Sequence, residues 1–426
     1  MLRFPAIVLV PIIVLGGATA CFRNSAGDEG GEAAAALTAE GAVVPGVEVL
    51  LRDSLKLLEG KRVGLITNPS GRDRSGRSTI DLLYRAPGVK LTALFGPEHG
   101  LRGAAEAGAR VTSSVDSATG LPIYSLYGDT RVPTPDMLDK IDVLVYDIQD
   151  VGARVYTFEW TMVLSAEAAA KEGKPFVVLD RPDPVRADRV AGGILDSSYR
   201  SFVGQFPVAL RYGLTPGELL RYLVGTGQVK ADLTVIPMDG YRRSMWWEDT
   251  GLPWVNPSPN LRDMDATLLY TGIVFFEGTN LSEGRGTDRP FRMVGAAWLH
   301  DAGAIARALN DAKLPGVRFD STSRTIAEGQ KWGGQTIPMI EVIVTDREQL
   351  QPVSVGVHLL QAIYSRHVKE WEWRAAHFDR LAGSDALRRA LLSDAASTAS
   401  VDALLARWQA ESASFAEAVR PYLLYR

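Results

Sequence analysis

One short stretch of the chain holds three kinds of chemistry: Gly96-Pro97-Glu98-His99-Gly100-Leu101-Arg102-Gly103 sets an acid, an imidazole and a guanidinium among glycines and a proline. A glutamate in so constrained a turn suits a general acid, because partial burial favours the protonated carboxyl and the turn fixes its direction. Glycosidases place such an acid beside the scissile oxygen, with a second carboxylate or the sugar's own acetamido group on the other face. The turn follows an apolar run at 89–95. The carboxyl end of a buried strand is where open α/β sheets bind their ligands.

Three other apolar runs end the same way. Residues 62–67 lead into Asn68-Pro69-Ser70-Gly71, 141–146 into Asp147-Ile148-Gln149-Asp150, and 176–179 into Asp180-Arg181-Pro182-Asp183. Singly, these are ordinary turn residues; together they imply a polar cleft along one sheet edge. Glu98 is the leading acid and His99 is placed to orient it. Asp147 or Asp150 is expected to assist water or the acetamido group, with Glu277, Glu283 and Asp288 as further carboxylates. Arg102, Arg154, Arg285 and Arg289 lie in polar loops, and guanidinium groups make bidentate contacts with carboxylates, so an acidic ligand is expected. The competing role for each arginine is a structural salt bridge. Tyr156, Tyr212 and Trp254 offer faces to a sugar ring, although aromatics more often belong to the core.

The elements that must position these groups alternate in type. Helical spacing at 79–84, 135–140 and 156–172 falls between the strands, which predicts βαβ units and an α/β fold. A Rossmann-like three-layer N-terminal domain with a mainly parallel sheet is expected over residues 47–190. No G-x-G-x-x-G follows the first strand, so dinucleotide binding is not expected. Beyond Gly192 the pattern is mixed, with helices at 216–224, 302–312 and 353–367, strands at 233–238, 294–298 and 337–345, and an apolar stretch at 266–276. A second α/β or α+β domain over 191–426 is predicted to complete the cleft and to end in helices at 386–392, 401–410 and 415–424. Its loops at 254–262 and 276–291 are dense in amides, acids and arginines. They add Asn260, Asn280, Glu283 and Arg285 to Asn68, Arg102, Arg154 and Tyr156 as candidate binding residues.

Composition narrows the partners. The net charge of −4 and the absence of a basic stripe argue against nucleic acid. Five histidines without H-E-x-x-H, and one cysteine, imply no metal site. No G-x-S-x-G elbow occurs, and no cofactor is implied. At the N-terminus, Arg3 precedes an uncharged run at 4–20 that ends in Ala18-Thr19-Ala20 before Cys21. This is the layout of a signal peptide over 1–20, and the lone Cys21 at the cleavage point fits lipidation; cleavage with a free cysteine and a retained anchor helix are the alternatives. All three put the protein outside the cytoplasm, facing a periplasm. Residues 21–46, rich in Ala, Gly and Glu, read as a flexible tether.

The motifs as a set resemble a known family. Leu65 to Gly71, Leu94 to Gly100, Asp147 to Thr157, Asp180-Arg181-Pro182, Asn256 to Asn260 and Phe276 to Thr287 are similar to the bacterial exo-β-N-acetylmuramidase family, over essentially the whole chain from Val47. The resemblance implies a two-domain glycoside hydrolase that releases N-acetylmuramic acid from the non-reducing ends of peptidoglycan fragments. It also implies that Glu98, within Gly-Pro-Glu-His-Gly, is the catalytic glutamate. The lactyl carboxylate of muramic acid would suit an arginine-bearing cleft. Two positions depart from the family pattern: Asp183, where asparagine is usual after Asp-Arg-Pro, and Asp288, where a second threonine is usual. A non-catalytic murein-binding or amino-sugar-binding lipoprotein, and an amidase or esterase acting on murein, are the rival readings.

Overall fold

The computed structural model describes residues 42–103, 105, 108–393 and 397–426. The expected signal peptide, Cys21 and most of the tether lie outside them. The last tether residues are part of the folded body: Val43 is fully buried, Val44 bridges to Asp239, and a Cβ on Gly46 would come within 2.4 Å of the Asp180 backbone nitrogen.

The apolar runs form the predicted strands. β1 (Arg62–Thr67), β2 (Lys90–Gly96), β4 (Pro122–Ser125), β5 (Val143–Asp147), β6 (Phe176–Leu179) and β9 (Leu233–Ile236) make one parallel sheet, with the short β3 (Ser114–Val115) antiparallel at its edge. The order is β3-β4-β2-β1-β5-β6-β9. Taking the parallel strands in chain order, this is 3-2-1-4-5-6, the doubly wound arrangement. β5 and β6 are buried along their whole length, which explains why they read as continuous apolar runs rather than alternating ones. Helix α1 (Thr79–Arg85) crosses from β1 to β2, and helix α2 (Thr157–Lys171) follows β5 and packs on β5 and β6. α2 is buried on nearly all sides.

Two boundaries differ from expectation. The sheet does not end at residue 190, because β9 pairs with β6 after a hairpin of β7 (Ala191–Ile194) and β8 (Ala209–Arg211) and the helix α3 (Pro216–Gly225). At the other end, the separate helices expected at 401–410 and 415–424 are mostly one helix.

The remaining chain builds a three-stranded antiparallel sheet, β10 (Met293–Gly295), β11 (Val317–Thr325) and β12 (Thr336–Val344), in the order β10-β12-β11. Helices α4 (Met264–Ile273), α5 (Ala302–Asp311) and α6 (Pro352–Tyr364) pack around it, followed by α7 (Ala375–Ala382), α8 (Ala386–Ser393) and α9 (Ala399–Val419). α4 and α6 meet at glycines: a Cβ on Gly356 would lie 2.3 Å from the Gly272 carbonyl oxygen. One hydrophobic core runs through both parts, from Tyr146 and Trp160 to Phe276 and Leu359. The chain end returns to the first sheet, where the Tyr425 hydroxyl donates to Asp180 at 2.6 Å.

Candidate active site

Glu98 stands just beyond the end of β2, and the turn that holds it is strained to do so. His99 takes a left-handed φ of 66° without being glycine, and Gly100 follows at 75°, so a non-glycine residue in this region is held by its surroundings. His99 Nδ1 lies 2.6 Å from the Ala105 carbonyl oxygen. A carbonyl only accepts, so Nδ1 carries the proton there. The imidazole meets Phe158 edge-on with centroids 6.4 Å apart. His99 therefore fastens the loop after Glu98, and its bonding is to the loop and not to the carboxyl.

The Glu98 carboxyl is nearly buried and both oxygens are engaged. The Gly108 backbone N–H donates to Oε1 at 2.8 Å, and the Thr157 hydroxyl donates to Oε2 at 2.6 Å. Thr157 opens α2, whose N-terminal end favours negative charge. The Tyr127 hydroxyl, just past β4, also faces Glu98; burial first and the Glu98 charge second push it up to about 12. Tyr156 and Tyr270 lie within electrostatic reach of the same carboxyl, their hydroxyls raised chiefly by burial. Their rings meet edge-on at 6.1 Å, and Tyr270 meets Phe291 at 4.8 Å. Phe291 in turn lies under the Arg285 guanidinium at 4.7 Å. An aromatic run thus links the Glu98 turn to the 276–291 loop of the second part. The Tyr156 hydroxyl points toward Ser258. Two residues on, the Asn260 side chain makes no hydrogen bond to any described residue, so its amide is available to a ligand.

Other predicted groups are held elsewhere. Asp147 is fully buried and its carboxylate is taken by Arg181, with Nη2 at 3.0 Å, and by the Thr79 hydroxyl at the start of α1. Asp150 is also fully buried, accepting from the Gly152 N–H at 3.1 Å and from the Tyr212 hydroxyl. Both expected catalytic carboxyls are thus enclosed and engaged by protein donors. Arg154 is a core brace: its guanidinium donates to the carbonyls of Gly193 at 2.9 Å, Val208 at 3.1 Å and Leu381 at 2.9 Å. Burial pushes it down to about 9, and it has no face toward ligand. Tyr212 is likewise core.

Arg285 is bound by Glu277 and Glu283, each at 2.8 Å, and Lys331 completes the network on Glu283 at 2.9 Å. These charges neutralise one another and stiffen the 276–291 loop. Arg102 pairs with Asp116 at 2.6 Å, and Arg289 pairs with Glu341. Asn280 donates to the Glu370 carbonyl at 2.8 Å. Asn68 Oδ1 accepts from the Ser70 N–H at 2.9 Å, and Ser70 Oγ accepts from the Gln149 N–H at 2.9 Å, which knits the β1 and β5 loops together. Of the predicted residues, the structure therefore brings Tyr156 close to Glu98, with the Ser258 to Asn260 loop beside Tyr156, and places Arg285 at the far end of the aromatic run as a loop brace.

The comparisons with known proteins bear on this geometry. The description "Exo-beta-N-acetylmuramidase NamZ, N-terminal" matches residues 63–265, and its C-terminal counterpart matches residues 268–425. The chain belongs to this family. A relative from Bacillus subtilis (strain 168), the peptidoglycan beta-N-acetylmuramidase NamZ, is 42% identical over 384 residues, spanning 90% of this chain and 91% of that protein. Two crystal structures of DUF1343 family proteins from Bacteroides fragilis NCTC 9343 share the fold. One has a TM-score of 0.83 at 36% identity, covering 91% of this chain and all of that one; the other has 0.69 at 30%, covering 90% and 99%. The family resemblance in the motifs and the α/β expectation are both borne out.

Thr157, Tyr127 and Tyr270 were not legible as site residues. Thr157 is the last residue of the Asp147 to Thr157 motif, and its place at the start of the helical pattern at 156–172 was the one available signal. Tyr127 follows a strand of four residues, too short for periodicity to register.

Proposed function

We propose that the protein is an exo-acting glycoside hydrolase that releases N-acetylmuramic acid from the non-reducing ends of peptidoglycan fragments, with Glu98 as general acid. The observation that carries this reading is the placement of Glu98, nearly buried at a strand end beside Thr157 and Tyr127, in a chain of this family. The fixed Gly108 N–H keeps Oε1 an acceptor. The Thr157 hydroxyl can donate or accept, so Oε2 is the oxygen able to hold a proton and pass it to the leaving glycosidic oxygen.

The carboxylates offered for the opposite face are committed: Asp147 to Arg181, Asp150 to Tyr212 and its own loop, Glu277 and Glu283 to Arg285, and Asp288 to Arg324. This favours the substrate's 2-acetamido group as the internal nucleophile, a known variant of retaining hydrolysis. Retention of configuration in the first-formed product is then expected.

The test is release of free N-acetylmuramic acid from a defined MurNAc-GlcNAc disaccharide, by the wild type and by Glu98→Gln. A loss of about 10²-fold or more in a folded variant supports the assignment. An equally active Glu98→Gln moves the acid elsewhere, and no release by the wild type favours a binding protein. Export and a lipid on Cys21 belong to the same proposal, supported by the lone cysteine after a small-residue site. Mass spectrometry of membrane-extracted protein that finds an unmodified soluble chain would refute it.

A further inference from the structure

A muramic acid unit differs from its glucosamine neighbour by a lactyl carboxylate, and a cation near Glu98 is well suited to recognise that anion. The arginines the sequence offered for it are engaged: Arg102 by Asp116, Arg154 by carbonyls, Arg285 by two glutamates and Arg289 by Glu341. A different arginine packs on Tyr127, whose hydroxyl faces the acid. We propose that Arg131 reads the lactyl carboxylate of the muramic unit being cleaved; the proposal rests on the muramidase reading for the identity of the sugar.

Arg131 is exposed and makes no hydrogen bond or ion pair with any described residue. Its Cζ lies 5.0 Å from the Tyr127 ring centroid and 4.3 Å from that of Phe202. The two rings are 5.8 Å apart and tilted by 45°, so the guanidinium sits across a wedge of two aromatics. Phe202 is held there by the reciprocal Ser201 and Gly204 backbone bonds, at 2.8 and 3.0 Å. Asp129, the nearest acid in sequence, is occupied by Arg110. Stacking uses the flat faces of a guanidinium and leaves its N–H edge free, the edge that binds carboxylate in bidentate fashion.

The spacing suits the substrate. Tyr127 turns its hydroxyl toward Glu98 and its ring toward Arg131, so one tyrosine side chain meets both the acid and the cation. In muramic acid the lactyl ether leaves C3, two bonds from the anomeric carbon. Its carboxylate therefore hangs on the flank of the sugar, about one ring width from the glycosidic oxygen. A sugar with that oxygen at Glu98 Oε2 would turn its lactyl group toward Arg131.

The experiment compares a chromogenic muramide with its lactyl methyl ester, which keeps the shape and loses the charge, in the wild type, Arg131→Gln and Arg131→Lys. Binding of free N-acetylmuramic acid and its ester is measured calorimetrically alongside. The wild type should prefer the acid in kcat/KM, and Arg131→Gln should lower that preference by about tenfold or more, mainly through KM. Lysine, which keeps the charge and loses the planar fork, should fall between. Arg131 is on the surface, and matched melting temperatures confirm folding. An acid-over-ester preference in Arg131→Gln equal to that of the wild type overturns the proposal while leaving the hydrolase intact, as does a wild type that does not discriminate. A wild type that turns over neither glycoside but binds the free acid through Arg131 upholds the carboxylate contact and sinks the hydrolase.

Discussion

Thr157 Oγ1 stands 2.6 Å from Glu98 Oε2, across 59 residues of sequence. The contact joins the first residue of α2 to the turn after β2, so two strands of the sheet fix one carboxyl oxygen. On the proposed reading Thr157 is a positioning residue, which holds the acid and directs its proton. Thr157→Val, which keeps the shape and removes the hydroxyl, should lower kcat roughly tenfold with KM within about twofold, and should displace the pH profile of kcat. Thr157→Ser should restore most of the rate. A Val variant with wild-type kcat and pH profile would leave Thr157 a structural residue only.

Asp147 should behave as a structural residue. Its pair with Arg181 is buried, with side-chain exposures of 0% and 4%, and removing one partner of such a pair costs about 3–5 kcal/mol. Asp147→Asn is therefore expected to unfold at a markedly lower denaturant concentration, while its activity per folded molecule stays far above that of Glu98→Gln. A stable Asp147→Asn protein with kcat as low as Glu98→Gln would return Asp147 to the chemistry.

The pair Asp150 and Glu159 predicts an unusual pH dependence of stability. Glu159 is fully buried and neither carboxyl oxygen has a protein donor. Burial, and then the charge of Asp150, push Glu159 well above the usual carboxyl range; burial raises Asp150 as well. The proton is thus bound by the folded chain and released on unfolding. Stability from the pair is complete below about pH 4, near the unfolded values, and is lost as pH rises toward the folded ones. Asp180 and Asp183, each pushed up to about 7 mainly by burial, add to the same slope between about 4 and 7. Glu159→Gln supplies N–H donors that need no proton. Its melting temperature relative to the wild type should climb from pH 5 to pH 8 by a few degrees, about 2–4 °C per kcal/mol. Parallel melting curves across that range would show that Glu159 does not carry the proton.

The crossing of α4 and α6 should not tolerate a methyl group. Gly356→Ala would place Cβ against the Gly272 backbone, at 2.3 Å from its oxygen, and overpacking of this kind costs about 1–3 kcal/mol. Because α4 also carries Tyr270, the substitution should lower kcat/KM along with the melting temperature. Unaltered stability would mean that the helices separate more easily than their contact implies.

Much of the first sheet was legible because parallel strands buried on both faces leave unbroken apolar runs, as in β5 and β6. β11 escaped because most of its residues are polar and face solvent, with Arg318, Asp320, Ser321 and Ser323 exposed, a pattern that a polar loop shares. Glu98 was legible from its glycine and proline frame. The roles of Asp147 and Arg154 were not, because a charge that serves a fold and a charge that serves a ligand look alike until their partners are known. Arg181 lies 34 residues from Asp147, and Leu381 lies 227 residues from Arg154. Asp183 is a related case: the usual asparagine would bring its own N–H donors into the acid cluster, and the aspartate here accommodates burial beside Asp150 by a raised affinity for a proton.

The carboxylate of Asp147 rests against Thr79 at the opening of α1, and in nucleotide-binding members of this strand order a pyrophosphate takes the corresponding seat. The protein supplies its own anion there and clamps it with Arg181, so the berth is filled from within. One internal ion pair thus occupies the place a pyrophosphate would take, and the proposed acid stands instead beyond the end of β2. The chain should accordingly pass unretained through a nucleotide-affinity resin while keeping the strand order of proteins that bind to it.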